Sequence, residues 1–263
     1  MKKIVCILMV LIMLLACCAC GSKSEDLLSE IKDRGYIVVA TEGNWAPWTY
    51  HDENDKLTGF DVELAKMIAA KIGVEARFEE TPWESILAGI DAGRFDMACN
   101  GVGYTEDRAE KYAFSTPYVY MGTVLVVRKD NTDIKKFEDI KGKMTANTAS
   151  STYAMIAEGY GATVTPVDDL AETISLLEDG RIDATLNAAA SIADYLSQKP
   201  DANIKIVAIS TDDAELDCIP VAKTDAAASL HSEIDKILDE LRNDGSLAEL
   251  SVKFFGADYT KKP

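Results

Sequence analysis

Apolar positions along the chain switch between two spacings. Residues 36–41 (Tyr-Ile-Val-Val-Ala-Thr) form a short β-branched run, the pattern of a buried strand. Asp61 then reads as a helix N-cap, followed by Leu64, Ala65, Ile68 and Ile72 at helical spacing, with Gly73 as the stop. Residues 74–78 alternate as a second strand. Pro82 opens a helix through Ile86, Leu87 and Ile90 that Gly93 closes, and residues 95–99 give a third strand. This βαβαβ order predicts a parallel sheet with helices on both faces. The pattern recurs with strands at 123–127, 143–147, 162–167, 182–186 and 204–209. Between them lie a helix at 152–158 and one that Asp168 caps, carrying Ile174, Leu176 and Leu177 to Gly180. Residues 225–242 are amphipathic, with Ile234, Ile237, Leu238 and Leu241 on one face; Gly245 stops them and 247–255 form a last helix. Two α/β units follow, with no repeat, low-complexity tract or Pro-rich linker between them. Ligands of open α/β sheets bind beyond the C-terminal ends of the strands, and a cleft between two such units can close by a hinge.

The first residues follow a different logic. Met1-Lys2-Lys3 is a short positive segment and residues 4–16 are an unbroken apolar run, suited to a signal peptide and short for a membrane span. The run ends in Leu14-Leu15-Ala16-Cys17-Cys18-Ala19-Cys20, which resembles the lipobox of bacterial lipoproteins. Cys17 is the better lipidation site, with palmitate among the acyl chains expected there; Cys20, after Ala19, is its rival, and a plain secretory signal is the alternative. Residues 1–16 are thus expected to be removed and 17–26 to tether the protein to the outer face of the membrane.

Charge and cysteine content narrow the functions. The 263 residues carry 27 Lys and Arg against 44 Asp and Glu, a net −17 that argues against nucleic-acid binding. Beyond the lipobox only Cys99, Cys218, His51 and His231 remain of the softer metal ligands, too few for a four-ligand zinc site, so no metal or cofactor is expected. His51 sits in a polar loop and His231 near a helix start, neither a catalytic setting; Glu42 is the sole acid–base candidate, and the chain reads as a non-enzyme.

One segment carries chemistry. Asn100-Gly101-Val102-Gly103-Tyr104-Thr105-Glu106-Asp107-Arg108 follows the third strand. Its glycines admit a ligand close to the backbone, and Thr105 can cap a short helix with Arg108 on its first turn. Together with Gly59-Phe60-Asp61-Val62-Glu63-Leu64, Ala92-Gly93-Arg94-Phe95-Asp96, Phe114-Ser115-Thr116-Pro117-Tyr118, Asp139-Ile140-Lys141-Gly142-Lys143, Asp179-Gly180-Arg181-Ile182-Asp183-Ala184 and Lys253-Phe254-Phe255-Gly256, it resembles the family 3 solute-binding proteins of polar amino-acid ABC importers. Thr41-Glu42-Gly43 and the stretch from Asp183 to Asn187 look most like the cystine-type branch. The resemblance implies a type II periplasmic-binding-protein-like fold of two α/β lobes, each a mostly parallel sheet flanked by helices, with the ligand cleft between them. Lobe 1 would take residues 27–120 and 217–263, and lobe 2 residues 121–216.

The resemblance also implies a site. Arg108 would clamp an α-carboxylate, the Gly101 carbonyl would accept from an α-ammonium, and the Gly103 N–H would assist at the carboxylate. Ser150 and Ser151 would supply the second lobe's carboxylate-binding turn, with Ala149 at that turn's glycine. Trp45 would stack on the ligand, and Glu42 and Trp83 would read its side chain; Trp48 fits the core. The family usually places an Asp one residue beyond Asn187, where this chain has Ala188. Either Glu42, Asn187 or a water substitutes, or the ligand is a carboxylate lacking a free α-ammonium. Cys99 would end a first-lobe strand and Cys218 would start the strand returning beside it on the hinge side, making a disulfide a candidate and two buried thiols the alternative. The implied function is a monomeric receptor that captures an amino acid or related carboxylate, cystine-like in one version, and delivers it to permease subunits. A dehydratase-like enzyme on the same fold is the rival class, and a sensory module the third.

Overall fold

The computed structural model describes residues 26–262, so the signal peptide, Cys17, Cys20 and nearly all of the tether lie outside the described residues. The chain runs α1 (Leu27–Arg34), β1 (Tyr36–Thr41), β2 (Asn44–Trp45), β3 (Thr49–His51), β4 (Leu57–Thr58), α2 (Phe60–Ile72), β5 (Glu75–Glu80), α3 (Trp83–Asp91), β6 (Met97–Ala98), α4 (Glu106–Lys111), β7 (Tyr112–Phe114) and β8 (Val119–Arg128). It continues through β9 (Met144–Thr148), α5 (Thr152–Gly159), β10 (Thr163–Val167), α6 (Leu170–Glu178), β11 (Thr185–Ala188), α7 (Ala189–Gln198), β12 (Ile204–Asp217), β13 (Pro220–Ala222), α8 (Ala228–Asn243) and α9 (Ser246–Phe255).

In the first unit β1 lies between β5 and β6, all parallel, with Tyr36 opposite Glu75 and Val39 opposite Met97. Successive side chains of β1 leave by opposite faces. Ile37 and Val39 join Phe60, Leu64 and Ile68 of α2 and Ile234, Ile237, Leu238 and Leu241 of α8. Ala40 joins Ile86 and Ile90 of α3. Helices on both sides explain why β1 is apolar throughout. The N-cap of α2 is Gly59, not Asp61: its φ is 126°, and a Cβ there would sit 2.1 Å from the Trp48 carbonyl oxygen. Asp61 is instead buried in the first turn, where its carboxylate accepts the Gly101 N–H. A small antiparallel sheet of β2, β3 and β4, too short to leave a periodic trace in the sequence, carries Trp45.

In the second unit β9 and β10 run parallel, and Thr145 bridges Ala184 in the same sense. Beside them β8 is flanked by β11 and β12, both antiparallel to it. Val124 and Val126 of β8 pack with Ile174, Leu177 and Ile192, while Leu125 and Val127 face Ile140, Ala184 and Leu186. The N-cap of α6 is Asp169 rather than Asp168; its side chain accepts the Glu172 N–H at 2.8 Å.

The strand expected at 204–209 extends to Asp217 because β12 passes from one unit to the other. Its first half pairs with residues 123–128 of β8, and Glu215, Leu216 and Asp217 pair with Met121, Tyr120 and Val119. The register jumps between Ser210 and Glu215, opposite Gly122. Two extended strands thus cross the junction, an arrangement suited to a hinge.

The Cys99–Cys218 disulfide is not formed; both thiols are free and buried. The backbone N–H of Cys218 pairs with Val102, not Cys99. Cys99 packs into the core that holds Phe60 and Tyr118, with Asp61 as its charged neighbour. The Cys218 thiol donates to the Leu216 carbonyl at 3.4 Å, with Asp217 and Asp235 nearby. Burial raises both thiol pKa values, well above the usual range for Cys99. Among the described residues no helix is long and apolar enough to cross a membrane.

Candidate functional site

The units meet over a cleft lined from the first by Glu42, Trp45, Trp83, Asn100 and Gly101 and from the second by Asn147, Ser151, Thr152, Asp169 and Asn187, among others. The lining residues cluster at strand ends: Glu42 follows β1, Asn100 and Gly101 follow β6, and Asn147 and Asn187 lie near the ends of β9 and β11.

Asn100 organises the first wall. Its Oδ1 accepts the Glu42 N–H at 2.7 Å, and its Nδ2 donates to Glu42 Oε2 at 2.7 Å. Burial pushes the Glu42 pKa up to about 7, with the charges of Glu84 and Asp169 adding to the rise and the Asn100 bond opposing it. Trp45 stacks on Trp48 at 5.1 Å with 10° between the rings. A Cβ on Gly101, whose φ is 51°, would come within 2.6 Å of the Trp45 ring. Glycine therefore allows both the turn and the close ring. Trp48 is fully buried, as expected, against Phe60 and Phe255. Its indole N–H donates to Ser191 Oγ at 3.2 Å on α7, so it also ties the two units together.

Arg108, Gly103 and Ser150 do not line this cleft. Thr105 Oγ1 caps α4 by accepting the Arg108 N–H at 3.2 Å. The Arg108 side chain donates from Nη1 to the Gly103 carbonyl at 2.6 Å and from Nη2 to the Ser150 carbonyl at 2.8 Å. Its guanidinium carbon lies 5.3 Å from the Trp83 ring centroid, so Arg108 adjoins the cleft wall across Trp83 and links the units.

The second-unit turn is shifted by one residue from the expectation. The left-handed position is Ser150, with φ 57°, and not Ala149. That conformation turns the Ser150 carbonyl toward Arg108, while Ser151 and Thr152 reach the cleft. Ser151 Oγ caps α5 by accepting the Ala154 N–H at 3.1 Å, which directs the head of α5 at the cleft. Asn187 reaches the cleft, but its Oδ1 accepts the Ala188 N–H at 2.9 Å. Ala188 is fully buried and does not line the cleft.

Sequence reasoning missed Asn147, Thr152 and Asp169, and gave Asn100 no role of its own within the segment that it heads. Asn147 and Asp169 stand at a strand end and a helix N-cap, and the rule that ligands gather at strand ends could have flagged both. Among the described residues no cluster of three His, Cys, Asp or Glu could hold a metal ion.

This architecture has well-characterised counterparts. The profile of bacterial extracellular solute-binding proteins, family 3, matches residues 37–257. The chain is 37% identical to the L-cystine-binding protein TcyA of Bacillus subtilis, over 99% of this chain and 100% of that one. Among solved structures, an ancestral arginine-binding protein bound to arginine superposes with a TM-score of 0.78 at 35% identity, covering 85% of this chain and 99% of that one. The L-cystine solute receptor of Neisseria gonorrhoeae, in an unliganded open conformation, gives 0.61 at 39% identity, covering 89% and 99%. The lower score at higher identity accords with the contacts that Trp48 and Arg108 make across the junction here. From its fold, its motif order and these likenesses, the chain belongs to the family 3 bacterial extracellular solute-binding proteins, the receptors of amino-acid ABC importers.

Proposed function

We propose that this protein captures a small amino acid in the interlobe cleft and delivers it to the permease of an ABC importer as a monomer anchored by lipidated Cys17. The lobes would divide at 120/121 and 216/217, within the stretch where β8 and β12 run side by side between the units. The observation that carries the reading is the pairing of opposite poles in one cleft: the head of α5 at one wall and the Glu42 carboxylate at another. Helix N–H groups favour an anion and a carboxylate favours a cation, the two ends of a zwitterion. Ser151 and Thr152 with Arg108 would hold the α-carboxylate. Arg108 reaches it by exchanging its Ser150 carbonyl for a charged acceptor, the stronger partner. Gly103 assists through its backbone, Glu42 and the Gly101 carbonyl take the α-ammonium with Asn187 beside them, and Trp45 and Trp83 read the side chain. The cystine-type relatives make cystine the first ligand to try.

A second reading, a carboxylate without a free α-ammonium, is favoured by buried Ala188 and by the Asn187 oxygen being taken up by the Ala188 N–H. Full-length protein in detergent, unfolded and refolded to strip carried solute, would be screened by thermal shift. The panel holds L-amino acids, L-cystine, their N-acetyl forms and simple carboxylates. A rise in melting temperature with a free amino acid, and not with its N-acetyl form, supports the first reading; the reverse supports the second. Turnover of a ligand that binds would replace both with the enzymatic reading, for which Glu42 is the acid–base candidate.

A further inference from the structure

We infer that the C-terminal tail, residues 256–260, is a strap on the hinge. It pins β8 where that strand leaves the first unit, couples it to the tryptophans beside the cleft, and so biases the lobes toward closure whatever solute they hold.

Chain ends are poorly ordered unless something ties them down. Ser251 of α9 is fully buried, and its hydroxyl donates to the Ala257 carbonyl at 2.8 Å and accepts the Tyr259 N–H at 2.9 Å. Asp258 accepts the Thr260 N–H at 3.0 Å and the Thr260 hydroxyl at 2.6 Å, and pairs with Lys261 at 2.8 Å. The Lys261 ammonium and the Thr260 donors hold the Asp258 carboxyl down at about 2, so this turn keeps its charge at physiological pH. Thr260 is buried at 3% exposure, close to the end of the chain.

The tail meets the hinge at Tyr259, whose carbonyl accepts the Tyr120 N–H of β8 at 2.8 Å. Pairing of β11 with β8 stops at Thr123, and the register of β12 jumps opposite Gly122. The strap therefore holds β8 just before Met121 and Gly122, the stretch where its pairing is irregular. Opening a two-strand hinge bends its strands. With Tyr120 pinned, the bend is confined to Met121 and Gly122. Without the pin it spreads back through Tyr120, and the open state gains conformations that the closed state, held by interlobe contacts, does not.

The same tail supports the interlobe contact itself. The Tyr259 ring stands edge-on to Phe255, with centroids 6.1 Å apart. Phe255 packs on Trp48 at 4.7 Å and on Phe60 at 4.6 Å, and Phe60 stacks on Tyr118 just ahead of β8. Trp48 carries both the stack with Trp45 in the cleft and the indole bond to Ser191 of the second unit. Loosening the tail thus frees the hinge strand and the residue that ties the lobes, and both changes favour opening.

Ser251→Ala leaves the Ala257 carbonyl and the Tyr259 N–H without their partner and releases the strap from within. Asp258→Ala loosens the turn from outside and carries the test if Ser251→Ala gives no cooperative melt. Ile86→Val, which trims the core around α3, is the control for lost stability alone. Each full-length protein, refolded to strip carried solute, would be studied by neutron scattering with the detergent contrast-matched and by hydrogen exchange. The strap variants are expected to have a larger radius of gyration than the native protein. Amides of residues 44–48 and 118–122 are expected to exchange about fivefold faster in them. Ile86→Val is expected to change neither. A native radius in the strap variants, faster exchange confined to α9 and the tail, or an equal expansion in Ile86→Val would overturn the inference and reduce the tail to packing.

Discussion

Glu42 shows how a single side chain records the purpose of its surroundings. A carboxyl with pKa near 7, raised from 4.5, favours folding while protonated in the folded state. Its contribution is fully present below the unfolded value and is lost as pH rises through the folded one. The cost by neutral pH is about 3 kcal/mol. Glu42→Gln abolishes this dependence. The variant's melting temperature should therefore gain on that of the unliganded native protein as pH climbs from about 4.5 to above 7; a constant difference would refute the assignment. A cationic ligand holds Glu42 ionised, so affinity should strengthen over the same window with release of a proton, a calorimetric signal missing in the variant. Ser150 is the second telling residue. Its left-handed backbone is unfavourable for a side chain, so Ser150→Gly should raise stability by up to about 1 kcal/mol in a urea titration. Position 150 is written as an ordinary serine, and only the observed φ reveals that it stands at the turn's glycine.

At the scale of elements, periodicity located the helices well because Gly73, Pro82, Gly93 and Gly245 punctuate apolar runs of the right spacing. Caps were less legible. Adjacent Asp168 and Asp169 are equivalent in sequence, and the direction in which β10 delivers the chain makes Asp169 the cap. Asp61 looked like a cap but anchors the loop after β6 through the Gly101 N–H. Burial raises its pKa to about 7, with Gly101 and the Tyr118 hydroxyl opposing the rise. That loop must leave room for Trp45. Gly101→Ala should displace the ring, lowering affinity at least about tenfold while the protein stays folded. Unchanged affinity together with unchanged Trp fluorescence would show that the close approach is dispensable.

For the whole molecule, closure rests on contacts that join distant segments: the Trp48 indole on Ser191, and Arg108 on the Ser150 carbonyl. Removing one neutral hydrogen bond costs about 1 kcal/mol, roughly a fivefold shift between closed and open populations. Ser191→Ala should therefore enlarge the radius of gyration of the unliganded protein in X-ray scattering, with added ligand restoring the native value. An unaltered unliganded profile would deny the contact that role. The free thiols have a global signature as well: Cys99 and Cys218 should resist alkylation until the chain unfolds, then both react without prior reduction.

The sequence by itself determined the α/β class, the order of most strands and helices, the family, and the residues Glu42, Trp45, Trp83, Gly101, Ser151 and Asn187 that meet in the cleft. The elements follow from local spacing, and the site residues from what the resemblance to the family implies. The tertiary structure alone decided that β12 runs on through the junction, that Cys99 and Cys218 lie out of register, and that the Arg108 side chain donates to the Gly103 and Ser150 carbonyls. It also decided that Asn147 and Asp169 line the same cleft as Glu42. Each of these depends on how segments far apart in sequence are brought together, and a one-dimensional pattern of hydrophobic and polar residues carries no term for that distance.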